Sequence, residues 1–194
     1  LYVFDIPIMA SISFSFLLYA AYCVALCLVL PIDQSSPSTQ PLLKPLRFDI
    51  AARTSWPVLL ITACLFALID MVIDPVALRG ERWFLGKIYH YTDPGIHFGV
   101  PLTNYAGWIV VGLISLAIYF PIERRLCALS TPPSVTPHLL LGVGLYHGIL
   151  AFNLSVAFWI SELLIGISGL LMHLPVLALL LFRLTRPHST ARSG

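Results

Sequence analysis

Charge is what this sequence has least of. Asp, Glu, Lys and Arg make up 10% of its 194 residues, against about 25% in an ordinary soluble domain. With 58% hydrophobic residues and a mean hydropathy of +0.89, that scarcity excludes a water-soluble globular domain and points to a polytopic membrane protein. The formal net charge of +2 is too small to imply nucleic acid as a partner, and the basic residues are scattered rather than clustered. Cysteine is also sparse. Cys23, Cys27, Cys64 and Cys127 show no metal-binding or redox spacing. Cys23 and Cys27 share one face of an apolar stretch and read as small hydrophobes. Neither a P-loop nor a dinucleotide-binding glycine fingerprint occurs, so nucleotide use has no support. No basic segment precedes the first apolar run and no small-residue cleavage site follows it, so a signal peptide is not expected.

What the chain has instead is a series of apolar runs. No charge falls between Asp5 and Asp33, which sets a first span near 8–30. The stretch PIDQSSPSTQPLLKPLRFD is rich in Pro and Ser and is expected to be a non-helical loop. A second span lies near 55–74, entered at Trp56 and Pro57, with Pro75 expected to end or kink the helix. A third lies near 103–120, closed by Pro121 and the charged Glu123, Arg124 and Arg125. TPPSVTP reads as a turn. From His138 to Leu184 the length suits two spans, near 138–156 and 162–183. The expected fold is therefore an all-α, polytopic membrane helical bundle of about five transmembrane helices, in one domain covering 1–194.

Residues 76–102 are too polar and too rich in Gly and Pro to span. Their Trp83, Phe84, Tyr89, Tyr91 and Phe98 suit a water–lipid boundary, which predicts an interfacial or re-entrant connection. Lys44, Arg47, Arg53, Arg124, Arg125, Arg183, Arg186 and Arg192 fall on one side of a five-span arrangement, and Arg79, Arg82 and Lys87 on the other. The positive-inside rule then expects a cytoplasmic C-terminus in an inner or intracytoplasmic membrane.

Against this apolar background, Asp70 and Asp74 stand out. At i and i+4 they project from one helix face about a turn apart. Two carboxylates close together in a low-dielectric site cannot both ionise cheaply, so one is expected to keep its proton. A neutral carboxylic acid is what general-acid catalysis uses. The bland alternative has Asp74 capping the turn before Pro75 and Asp70 pairing with Arg79 or Arg82. Asn104 is either an N-cap of the third span or an amide that orients a water and closes a network with the aspartates. Gly99 and Gly107 are read as allowing a turn or close helix packing. Tyr105 and Trp108 are interfacial anchors, or line a polyene site where their π faces could steady a cation.

The histidines, His90, His97, His138, His147, His173 and His188, form no repeated HxxxH or HxxHH pattern, which argues against oxygen-dependent hydroxylation at a di-iron centre. His147 and His173 lie inside spans and read as hydrogen-bonded bundle histidines rather than pigment ligands. Glu162 is expected at the interface.

The order of three segments goes further. LIDMVIDPVA, then RWFLGKIY, then GVPLTNYAGW resembles the carotenoid biosynthesis protein family that includes the carotenoid 1,2-hydratases, of bisanhydrobacterioruberin hydratase and γ-carotene hydratase type. In that family a D-x-x-x-D-P segment precedes G-V-P-x-x-N-[FY]-x-G-W, with a Trp-containing stretch between. Tyr105 stands where Phe is usual, and the chain is expected to begin after an N-terminal region that carries the family's Glu and a Gly/Tyr-rich motif.

The resemblance implies addition of water across the terminal C1=C2 bond of an acyclic carotenoid end group, with no redox cofactor or metal required. Asp70 would be the proton donor, Asp74 its partner or the water-activating base, and Asn104 the group that orients water. Tyr105, Trp108 and Trp83 would shape the polyene site. The implied partners are a carotenoid substrate and membrane lipid. A second expectation is a non-catalytic carotenoid-holding or scaffold subunit of a pigment–protein complex such as a reaction centre or antenna. A third is a proton-coupled transporter, against which stands the lack of an inverted repeat.

Overall fold

The computed structural model describes residues 2–3, 6–33, 44, 46–129 and 136–185. These are helical almost throughout. Helix α1 covers Ile8–Val29, α2 Ile50–Arg53, α3 Trp56–Ala77, α4 Leu102–Leu129, α5 Thr136–Trp159 and α6 Leu163–Leu184. The only paired strands among the described residues are the two-residue Tyr2–Val3 and Ile6–Pro7, antiparallel to each other ahead of α1. Four helices, α3 to α6, contain runs long and apolar enough to cross a membrane. The fifth expected segment, α1, is also 22 residues long, a reach of about 33 Å, and carries no charge.

Helix α3 is the organising element, in contact with α1, α4, α5 and α6. Its Phe66, Ile69 and Val72 are fully buried. Bundles in lipid rely on close packing of small residues, and the α1–α5 contact illustrates it. A Cβ placed on Gly142 would sit 2.3 Å from Cys23 Sγ and 2.5 Å from Cys23 Cβ. Gly142→Ala should therefore push α5 off α1 and cost about 1–3 kcal/mol, the usual range for overpacking. The denaturation midpoint in detergent reads this out, and an unchanged midpoint would contradict the packing. Cys23 and Cys27 are both fully buried and unoxidised, as small core hydrophobes should be.

Two proline expectations are corrected. Helix α3 does not end before Pro75 but runs on to Ala77, and Leu78 N–H donates to Asp74 O at 3.0 Å. Helix α4 likewise continues through Pro121 to Leu129. Proline removes one N–H from the ladder. In α3 this happens within the last turn, where little helix remains to be lost. In α4 the residues after Pro121 are held from outside: Glu123 by Arg53 and Tyr22, and Arg124 by the Thr54 hydroxyl and carbonyl.

The break between the last two spans, expected between 156 and 162, falls at 160–162, with Ser161 at φ 62°. The described parts of the first loop, 31–33 and 46–49, are not helical. Most of that loop, and all but the last two residues of TPPSVTP, lie outside the described residues. Thr136 and Pro137 already belong to α5.

The connection from α3 to α4 holds one 3-10 turn, Gly80–Arg82, and is otherwise irregular. It is fastened at several points. Arg79 donates to Phe98 O at 2.6 Å and to Pro75 O at 3.2 Å, and its Nε faces Glu162 at 3.5 Å. Arg82 donates to Glu162 and to Ile160 O. Near its end the chain reverses, with Phe98 at φ 53° and Gly99 at φ 94°, and Val100 N–H bonds His97 O at 2.9 Å. Gly99 thus serves the turn expected of it. This reversal delivers Pro101 and the start of α4 beside the last turns of α3.

Candidate active site

The i, i+4 spacing of Asp70 and Asp74 sets both carboxylates toward the start of α4, and the reversal at 97–100 brings Asn104 to meet them. Asn104 Nδ2 donates to Asp70 Oδ2 and to Asp74 Oδ2, at 2.9 Å each. An amide nitrogen has two hydrogens, so one goes to each acid. Asn104 lies in the first turn of α4, which begins at Leu102, and its side chain serves the acids rather than the helix end. The alternative pairing of Asp70 with Arg79 or Arg82 does not occur. Those arginines hold Glu162 and backbone carbonyls.

The two acids are not equivalent. Asp74 accepts three hydrogen bonds: from Tyr89 Oη at 2.6 Å onto Oδ1, and from Tyr91 Oη at 2.8 Å and Asn104 onto Oδ2. Asp70, fully buried, accepts one from Asn104. Its Oδ1 is buried without a partner among the described residues. Hydrogen bonds to a charged group are worth about 1.5–3 kcal/mol each. Two more donors on Asp74 make it the better seat for a negative charge, and Asp70 the better seat for a proton.

Tyr89 and Tyr91 complete the site, and sequence reasoning missed them as anything but interfacial aromatics. Burial first, and then the charge on Asp74, raise both phenols above the ordinary tyrosine range, so both are fixed as neutral donors. The signal was present in YHY: in extended chain, residues two apart share a face. It could not say what that face meets.

Beside the acids lies a groove of about 340 Å³. Phe14 of α1, Phe66 of α3, and Thr103, Asn104, Trp108 and Val111 of α4 line it. Trp108 stands edge-on to Phe14 and Phe66, with centroids 4.8 and 4.5 Å away. Asn104 is the shared wall between groove and acids. Tyr105 is buried one residue on, and its hydroxyl shares a 2.7 Å hydrogen bond with His97 Nδ1. Burial lowers the pKa of His97, favouring a neutral ring. The bond gives a local use for Tyr where Phe is usual in the resemblance.

Trp83 is not brought to the groove. It packs on Phe84 and Phe152 at 4.9 and 6.2 Å, and its Nε1 is buried with no partner among the described residues. His147 and His173 each hold a backbone carbonyl through Nδ1, at 2.9 and 3.0 Å, which is the structural role expected of them. Among the described residues, no three His, Cys, Asp or Glu side chains gather as a metal site.

No curated protein and no solved structure matches this chain. One family model does, over residues 1–175, and its description is carotenoid biosynthesis protein. That stretch contains Asp70, Asp74, Tyr89, Tyr91, Asn104 and the aromatic groove, and covers most of the sequence. The chain belongs to the carotenoid biosynthesis protein family.

Proposed function

We propose that this protein hydrates the terminal C1=C2 double bond of an acyclic carotenoid end group. The observation that carries the reading is the unequal partnering of the two acids: one buried carboxyl whose Oδ1 meets no partner among the described residues, beside another held by three donors.

The chemistry follows from that inequality. Asp70 Oδ1 gives its proton to C2, the C=C π pair forms the new C–H bond, and C1 becomes a tertiary cation. Water adds through oxygen to C1, and its surplus proton passes to Asp74. Transfer of that proton back to Asp70, across the pair joined by Asn104, restores the starting state. The net change is one water added, with no change of oxidation state. Asp74 and the faces of Trp108 and Phe66 favour the cation. Asn104 stands between groove and acids, so the bound end group has to close on Asp70 past it. Catalytic contacts commonly tighten only in the substrate complex.

The test is production of the protein in a host that accumulates lycopene or γ-carotene, with the pigments read by mass. Hydration predicts a product heavier by one water. A product heavier by one oxygen, or unchanged pigment at good expression, would overturn the reading.

A further inference from the structure

The expectation that Gly107 permits close helix packing fails, and its failure is informative. A Cβ built on Gly107 meets nothing within 4 Å. The residue lies inside the long helix α4, where no turn requires glycine, and glycine there costs about 1 kcal/mol relative to alanine. Gly144 and Gly148 in α5 likewise meet nothing within 4 Å, so open space alone does not set Gly107 apart. What Gly107 does is line the aromatic groove, together with Phe14, Phe66, Asn104 and Trp108.

We propose that this groove, between α1 and α4 over α3, is a side entrance from the bilayer for the substrate's end group, and that Gly107 sets its width. The inference rests on the hydration reading and deepens it. Three features support it. The outer rim, Phe14, Thr103, Gly107 and Val111, is exposed on α1, which is 22 residues long, and on α4, which contains a run able to cross a membrane; in a bilayer that face would meet lipid. No charged side chain lines it, which suits a hydrocarbon and no polar solute.

The third feature is continuity with the acids. Asn104 is one turn before Gly107 on the same face of α4 and bonds both carboxyls. The α1–α4 gap is closed farther along. There Tyr22 donates to Glu123 at 2.7 Å and its ring lies 5.9 Å from that of Tyr119. A chain therefore cannot thread through to the other end. Its slim, acyclic tip enters at Asn104 while the rest of the polyene stays in lipid.

Gly107→Leu tests this, because leucine is a good helix former, its Cβ would meet nothing within 4 Å, and the rest of the side chain would occupy the opening. Expected is at least a tenfold fall in hydrated pigment, with unchanged elution and thermal stability, and a smaller fall for Gly107→Ala. Ala106→Leu, exposed beside the groove but outside it, should hydrate as wild type does. Binding supplies a separate readout: lycopene quenching of tryptophan fluorescence in the purified protein should be lost in Gly107→Leu.

Wild-type hydration and binding by Gly107→Leu would overturn the entrance and leave the reaction standing. If the wild type makes no hydrated product, the hydration reading fails, and quenching decides the entrance alone. Quenching lost in Gly107→Leu supports the entrance, and equal quenching overturns it.

Discussion

Asp70→Asn is expected to lower hydrated carotenoid by at least about 100-fold, and up to about 10⁴-fold, the range that general acid–base catalysis contributes. The substitution is close to isosteric. Asparagine at 70 can still accept the Asn104 N–H through its carbonyl oxygen, so helix α3 and the contact to α4 survive. What disappears is the acidic proton that the hydration reading assigns to Asp70. An amide N–H cannot protonate an alkene. The measurement is pigment mass in the lycopene-producing host, normalised to protein in the membrane. Equal yields from wild type and Asp70→Asn would sink the assignment of Asp70 as donor.

Glu123→Ala carries the largest expected cost to stability, about 3–5 kcal/mol, the penalty for leaving one half of a buried ion pair uncompensated. Glu123 is 4% exposed. Its Oε1 accepts from Arg53 Nε at 2.7 Å and again from the same guanidinium's Nη2, while Oε2 accepts from Tyr22. The Arg53 guanidinium also lies over the rings of Tyr22 and Phe48, 5.6 and 5.4 Å from their centroids. Removing the carboxylate strands that cation and leaves the Tyr22 hydroxyl only its longer bond, 3.3 Å, to Arg53 O.

The converse is sharper. Arg53→Leu combined with Glu123→Leu deletes both charges, and apolar replacement of a buried pair is often close to neutral. The double variant should recover most of what either single change loses. Denaturation midpoints in detergent decide it. A double variant no more stable than Glu123→Ala would show that the pair is not coupled as its geometry implies.

The helices were legible because lipid leaves little choice. Backbone polar groups there must bond within their own segment, so apolar runs of sufficient length become helices. The segments near 8–30 and 138–183 did so with modest shifts at their ends, and the one near 103–120 did so but ran on through Pro121 to Leu129. Where local rules misled, at Pro75 and Pro121, contacts from elsewhere in the chain or proximity to a helix end outweighed the missing N–H. The charged run after Pro121 read as a stop signal. In the structure Glu123 is the centre of a buried network, because its partner lies seventy residues earlier.

The site was legible in part, for a similar reason. The D-x-x-x-D spacing places two acids on one face by helical periodicity alone. Asn104 was left between a cap and a bridge, and that choice depended on where α4 begins relative to α3. Tyr89 and Tyr91 sit in an irregular connection with no period to read, so their role emerges only when that connection folds back over Asp74.

By itself, the sequence determined that the chain is a helical bundle for a membrane, that two acids share a helix face, and that its ordered motifs resemble one family. Run length, periodicity and motif order are properties of a linear string. Tertiary structure alone decided which acid has the more hydrogen-bond donors, because these come from two other segments, the α3–α4 connection and α4. It also decided that Gly107 borders empty space, since a missing side chain has meaning only against the neighbours that could have filled its place.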